Sequence, residues 1–460
     1  MAEPSTPAGV IDVVSFIDQQ PVGRYQLRLL LICAAVLFLD GFDTQAIGYV
    51  APALGSNWGL ARGALGPVFS AGLFGLMIGA IVFGPIADHI GRRRVIILST
   101  ATFGVGALAT IFAYDVTSLL VIRLLTGFGL GGALPNAVAL TSEFSPHRRR
   151  ATMVMAMFVG FSVGAAVGGM IAAALIPLFG WRSVFLIGGV APLLLVPFLC
   201  FRLPESVRFL AVTGKASPRV AELLQRVAPS VHLPANAQFG VLEEKLAGIP
   251  VAHLFNEGRA ATTLALWVVF FMSLLDLYLL SNWLPTVLND LGASISAAVA
   301  VGAMFQVGGV VGTFALGQFI DRFLFHALAL VYFLAAAAVT MIGYSGQSIA
   351  FATLAIFCAG FCIIGGQIAA NALAATYYPT MVRSTGVGWA LGIGRIGSIV
   401  GPLIGGMLLA HQVGVRSLFI AAAVPALCAS VAALVLTRIA RPGSADNALL
   451  QRTGTAKLGE

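Results

Sequence analysis

The chain has 460 residues, 59% of them hydrophobic and only 10% charged, with a mean hydropathy of +0.96. Soluble globular proteins carry about 25% charged residues, so a large water-soluble core is excluded and a polytopic membrane protein is indicated. The formal net charge of +8 would suit a nucleic-acid partner, but the placement of the basic residues, taken up below, excludes one.

Residues 1–26 read as a cytoplasmic N-terminal segment with a short amphipathic piece around Val10–Ile17. Residues 1–23 hold Glu3, Asp12 and Asp18 but no Lys or Arg, so the basic start of a cleavable signal is missing. The first span is therefore expected to act as its own insertion signal. Apolar runs of ~20 residues, enough to cross a bilayer, follow at 27–50, 66–87, 94–113, 118–141, 151–176 and 183–203. They predict a first six-helix bundle over 27–203. A charge-mixed cytoplasmic loop over 204–258 separates it from a second bundle over 259–438, with spans at 260–285, 295–320, 323–343, 349–375, 384–409 and 416–438. Residues 439–460 read as a cytoplasmic tail. The expected fold is all-α, with twelve transmembrane helices in two pseudo-symmetric bundles.

The basic residues fix the expected orientation. Arg92, Arg93, Arg94, Arg148, Arg149, Arg150, Arg202, Arg208, Lys215, Arg219, Arg226, Lys245 and Arg259 fall in alternate loops, and Arg438, Arg441, Arg452 and Lys457 follow the last span. The intervening loops hold only Arg62, Arg182 and Arg416. This positive-inside pattern puts both termini in the cytoplasm and accounts for the net charge without a nucleic-acid partner. Cys33, Cys200, Cys358, Cys362 and Cys428 all lie in apolar segments and read as small core residues rather than metal ligands. No metal and no cofactor is expected.

The halves repeat. Asp88 and Asp321 are separated by 321 − 88 = 233 residues, and the same offset joins Pro146 to Pro379, Arg150 to Arg383, Asp43 to Asp276 and Pro52 to Pro285. Gly164 and Gly401 differ by 237, a small slip. Parallel six-helix repeats are a transporter architecture, with the site expected near the bilayer midplane between them.

Within the first span, Asp40 and Asp43 lie three apart, on one side of a helix. A carboxylate deep in hydrocarbon costs about 2.5–3.5 kcal/mol even on the mildest scale, so the pair must face a partner or a wet cavity. Arg123 opens the run Arg-Leu-Leu-Thr-Gly127-Phe-Gly129-Leu-Gly131-Gly132-Ala-Leu-Pro135-Asn136 in the fourth span. A buried arginine needs an anionic partner, and the first-span acids are the natural candidates. Glu143 and Pro146 close this helix on the inside. Asp40, Asp43, Arg123 and Glu143 form the expected proton-coupling set.

At the cytoplasmic end of the second span, Gly84 is expected to permit close helix approach, Asp88 to cap a neighbouring helix or pair with Arg, and Gly91 to make the turn before Arg92 and Arg93. The second half has Gly317 through Asp321 and Arg322, with His326 standing in for the missing basic run. With Arg383 these residues form the expected cytoplasmic gate; the competing reading of the arginine run is a topology signal alone. The glycine faces at Gly160, Gly164, Gly168 and Gly169 and at Gly397, Gly401, Gly405 and Gly406 suit close helix packing. Gly160-Phe-Ser162-Val-Gly164 matches a hydrolase pattern but lies inside a span, not on a strand–turn–helix, and Gly127-Phe-Gly129 follows no strand. The chain is not expected to be an enzyme.

Arg395 stands about eleven residues into the eleventh span, ~16 Å deep. Two readings stay open: a bidentate clamp for a substrate carboxylate, or a structural pair with Asp276, which would also hold it when the site is empty. Phe42, Tyr49, Tyr278, Trp283, Phe305 and Trp389 are candidate cavity aromatics, and Gln306, Gln367 and Asn371 mid-helix amides able to bond a ring hydroxyl. An arginine, rings and amides suit an aromatic carboxylate, and also other organic anions.

Over essentially its whole length the chain resembles the major facilitator superfamily, through the Asp88-x-x-Gly91-Arg92-Arg93 loop, the Arg123 glycine run and Pro204-Glu205-Ser206. Asp40-Gly-Phe-Asp43 is similar to the first-helix motif of its aromatic acid:proton symporter family, whose members take up 4-hydroxybenzoate, protocatechuate and benzoate. The resemblance implies that Asp40 and Asp43 are functional acids. It also implies that Asp88, Arg92, Asp321, His326 and Arg383 occupy cytoplasmic loop positions, and Arg123, Glu143 and Arg395 intramembrane or helix-end charges. Drug:proton antiporters carry a Pro in the fifth-span glycine motif where this chain has Ala165, a departure that speaks against an exporter. The expectation is proton-coupled uptake of small aromatic acids by a monomer in the lipid bilayer of the inner (cytoplasmic) membrane. The alternatives are a symporter for another organic anion or a sugar, an exporter, and a transporter-like receptor.

Overall fold

The computed structural model describes residues 10–213, 217–229, 231, 237–240, 251–256, 259–346, 348–378 and 382–439, with 10, 151, 217, 317–322 and 383–384 described in backbone alone. Long apolar runs become helices because a chain in hydrocarbon must satisfy its N–H and C=O groups internally. Six long helices come before the central segment: α1 (Arg24–Trp58), α2 (Gly66–Ile90), α3 (Arg92–Thr110), α4 (Val116–Glu143), α5 (His147–Phe179) and α6 (Arg182–Arg202). After it come α7 (Ala260–Asp290), α8 (Ile295–Leu316), α9 (Phe323–Gly343), α10 (Ile349–Tyr377), α11 (Arg383–Ala410) and α12 (Val415–Ile439). Among the described residues ten helices are long and apolar enough to cross a membrane. The other two long helices are α1, which carries the acid pair, and α3, which opens on the arginine run. α8 and α9 run on as one helical stretch, kinked at Leu324 (φ 47°, ψ −124°), a conformation uncommon outside glycine.

The chain divides into two compact units, Met1–Trp58 with Ala71–Glu244, and Gly59–Ser70 with Lys245–Glu460. In the first, α1 packs on α5 and α3 on α4 and α6; in the second, α7 packs on α11, and the α8–α9 stretch on α10 and α12. Gly59–Ser70 joins the second unit through Phe69, edge-on to Trp283 at 5.0 Å, the Ser70 hydroxyl donating to the Ile399 carbonyl at 2.7 Å, and an Arg62–Asp290 ion pair at 3.4 Å.

Helix packing restores the repeat where the glycine spacing read as a slip. A Cβ on Gly164 would run into the Phe38 carbonyl, and one on Gly397 into the Phe271 carbonyl. Both the glycines (397 − 164 = 233) and the carbonyls (271 − 38 = 233) keep the register of the other pairs. Gly401 answers to Gly168 instead, packing on Leu275 as Gly168 packs on Phe42.

The central segment is more than a linker. β1 (Val10–Asp12) pairs in parallel with β2 (Gln238–Gly240). The helix Val13–Asp18 begins on an Asp12 cap, whose carboxylate accepts from Ser15 N at 3.1 Å. Its Val13 and Ile17 bury against Val207 and Leu210 of helix Val207–Thr213 and against Val220, Leu223, Leu224 and Val227 of helix Ser217–Val227. The last four are spaced i, i+3, i+4, i+7, the stripe of an amphipathic helix. Asp18 accepts from His147 N at 2.8 Å and pairs with Arg150 at 3.4 Å, tying this collar to the start of α5.

Candidate functional site

The first-unit charges meet as an ion pair. Asp43 and Arg123 are 0% and 3% exposed. Arg123 places Nη1 3.1 Å from Asp43 Oδ1 and Nη2 3.0 Å from Oδ2, and donates to the Asp43 carbonyl at 3.2 Å. The guanidinium also lies over the Phe185 ring at 5.7 Å. Close approach of α2 and α4 at Gly72 and Gly127 lets a large cation fit in so dense a bundle. Asp40, equally buried, accepts from the Thr44 hydroxyl at 3.0 Å, one turn along α1.

Glu143 belongs elsewhere. It lies twenty residues beyond Arg123 on α4, ~30 Å along the helix. There it pairs with Arg92 at 2.8 Å and accepts from the Ser206 hydroxyl at 2.5 Å. Next to it Glu205 accepts from Arg93 N at 3.1 Å and Ser206 N at 2.9 Å, and the Arg93 guanidinium donates to the Cys200 carbonyl. Gly91 takes φ 96° here, and a Cβ would strike the Glu205 carboxylate. Arg92 and Arg93 thus bond to specific partners. Three expected gate roles do not appear: a Cβ on Gly84 would meet nothing within contact range, and Asp88 and His326 are exposed, with no ion pair among the described residues. The side chains of Asp321, Arg322 and Arg383 lie outside the described residues.

In the second unit the expected Arg395–Asp276 pair is not formed. Arg395 is half-buried on α11 and donates from Nη1 to the Tyr278 hydroxyl at 3.4 Å. Helical phase explains the difference. Asp276 and Tyr278 are two residues apart on α7 and so point to opposite sides, while Tyr278 and Ser281, three apart, share a face. On that face Gln306 donates from Nε2 to the Ser281 hydroxyl at 3.2 Å. Asp276, 1% exposed, has no hydrogen-bond partner on either oxygen among the described residues.

Other expected cavity residues are committed to packing. Phe42 sits against Gly168 and Gly188. Tyr49 is buried and donates to the Ala165 carbonyl at 3.0 Å. Trp283 donates to the Pro402 carbonyl at 2.9 Å and fills the groove left by Gly405. Phe305 is fully buried, and Trp389 is exposed, stacked on Trp267 at 5.9 Å. Gln367 reaches Asn371 at 3.5 Å, and its own Oε1 has no hydrogen-bond partner among the described residues. What remains in the second unit is two hydrogen-bonded pairs, Arg395 with Tyr278 and Gln306 with Ser281, whose α7 members share a helix face. Ser281 was not anticipated; its place three residues past Tyr278 was the available signal.

The model of the Major Facilitator Superfamily matches residues 33–364 and again 266–458. The 4-hydroxybenzoate transporter PcaK of Pseudomonas aeruginosa is 45% identical over 440 residues, covering 95% of this chain and 98% of its own length. The gallate transporter of Pseudomonas putida is 42% identical over 426 residues, covering 92% and 94%. Among solved structures, the partially occluded inward-open xylose transporter XylE of E. coli superposes with a TM-score of 0.70 at 16% identity, over 91% of this chain and 98% of that one.

Proposed function

We propose, from the premise that the chain belongs to the Major Facilitator Superfamily, that it carries small aromatic carboxylates such as 4-hydroxybenzoate into the cell by alternating access, in symport with protons. It is a membrane transporter rather than an enzyme, and its seat is the inner (cytoplasmic) membrane, with both termini in the cytoplasm. The substrate class is supported by relatives named for 4-hydroxybenzoate and gallate.

The observation that carries the reading is Arg395. A half-buried guanidinium that donates to a tyrosine hydroxyl, with no acid paired to it among the described residues, is a receptor for a carboxylate, which it can hold through two parallel N–H···O bonds. Tyr278 beside it supplies an aromatic face, and Ser281 and Gln306, reached along the same face of α7, supply polar groups for a ring hydroxyl. The coupling site is Asp40 with Asp43 and Arg123. A proton arriving from outside at this site weakens the buried ion pair as the anion binds at Arg395. The conformational exchange follows, the proton leaves to the cytoplasm and the anion after it.

Uptake into proteoliposomes under an imposed pH gradient, acid outside, tests this. Labelled 4-hydroxybenzoate is expected to accumulate and to be displaced by benzoates. Asp43→Asn is expected to keep exchange and lose accumulation. Displacement by sugars instead of benzoates would overturn the substrate class, emptying of loaded vesicles the direction, and full pH-driven accumulation by the variant the proton role.

A further inference from the structure

Asp276 has no part in the clamp, and no cation pairs with it among the described residues. On α7 it shares a face with Ser273, three residues earlier, whose hydroxyl accepts from the Tyr332 hydroxyl of α9 at 2.8 Å. Tyr332, 0% exposed, is an electrostatic neighbour of Asp276. The other elements packed against α7 bring no counter-charge: Arg395 of α11 is turned to Tyr278, Gln306 of α8 to Ser281, and α10 and α12 place no charged group at Asp276 among the described residues. The repeat sharpens the point. The position matching Arg123 is 123 + 233 = 356, an isoleucine, itself fully buried.

A carboxylate with neither donor nor cation is among the most expensive groups to bury, and a carboxylic acid is far cheaper. A group so placed is cheapest to bury as the neutral acid and cheapest to ionise where water reaches it. That is how a proton carrier behaves.

We infer that Asp276 is a second proton-carrying group, so that each aromatic carboxylate enters with two protons and one net positive charge. This rests on the uptake reading above. The step balances: the anion brings one negative charge, the first-unit site and Asp276 one proton each, and both protons are released inside.

The test uses the full chain in proteoliposomes at equal pH on both sides, with an inside-negative potential set by potassium and valinomycin. One charge moved per cycle is expected to give the wild type about 50-fold accumulation of 4-hydroxybenzoate per 100 mV. Asp276→Asn, a permanent mimic of the neutral acid, is expected to lose that potential-driven accumulation while keeping exchange and pH-driven uptake. Potential-driven accumulation that survives in Asp276→Asn overturns the proposal, and so does a wild type that exchanges substrate yet ignores the potential. Should Asp276→Asn fail to fold, Asp276→Glu decides: retained response supports the assignment, and exchange without response overturns it. A wild type that exchanges no aromatic acid would instead sink the uptake reading, a separate and recognisable failure.

Discussion

The two units share a register but not a charge plan. Adding 233 carries Asp43 to Asp276, yet it carries Arg123 to Ile356, Asp40 to Ser273, and Ser162 to Arg395. The first unit therefore holds an acid clasped by an arginine from α4. The second holds an acid with no cation paired to it among the described residues, and an arginine from α11 bonded to a tyrosine. Packing has kept the repeat where charge has not: Gly164 meets Phe38 as Gly397 meets Phe271. Close helix approach is dictated by backbone geometry and tolerates no side chain at the crossing. Which side chains line the rest of each face is open to specialisation. The comparison teaches that one scaffold holds two charge arrangements, a buried acid locked to an arginine in the first unit and, in the second, an acid and an arginine that do not pair.

The largest effect should come from breaking the locked pair. Arg123→Ala leaves Asp43 buried without its cation, a change that costs about 3–5 kcal/mol. Denaturation of the purified protein in detergent should show it, and Asp43→Asn in the same background should recover a substantial part. Equal stability of Arg123→Ala and the wild type would mean that the pair is not the unit's anchor.

The unlocked arginine should respond differently. Arg395→Ala removes a charge-assisted interaction of about 1.5–3 kcal/mol from the bound substrate. It should raise the apparent KM for 4-hydroxybenzoate about 10- to 150-fold, with little loss of stability, because no buried acid is orphaned. An unchanged KM in initial-rate uptake places the anion site elsewhere.

The shared packing should give the smallest and most even effect. Gly164→Ala and Gly397→Ala each force a methyl against a backbone carbonyl, a strain of about 1–3 kcal/mol. Thermal melts of the two variants should shift together. A large disparity would show that the repeat in contacts is not a repeat in energy.

Several features were legible in the chain itself. Apolar runs near bilayer length gave the long helices, because hydrocarbon leaves the backbone no other way to bond. The constant offset of the Asp, Pro and Arg pairs gave the two-unit organisation. The meeting of Arg123 with a first-helix acid followed from the cost of leaving either alone in an apolar bundle. Position along α4 separates Glu143 from that pair, because twenty residues of helix rise span ~30 Å.

The tertiary structure alone decided which neighbour each face meets. Sequence spacing shows that Asp276 and Tyr278 point apart, but not that Arg395 stands on the Tyr278 side and Tyr332 near Asp276. Those facts depend on how α7 is rotated against α9 and α11, a phase set by all the side chains at the crossings together. The same holds for the collar, where Val13 and Ile17 find Val220 and Leu224 across two hundred residues of chain. A linear pattern records that a surface is apolar or charged; only the folded packing chooses its partner.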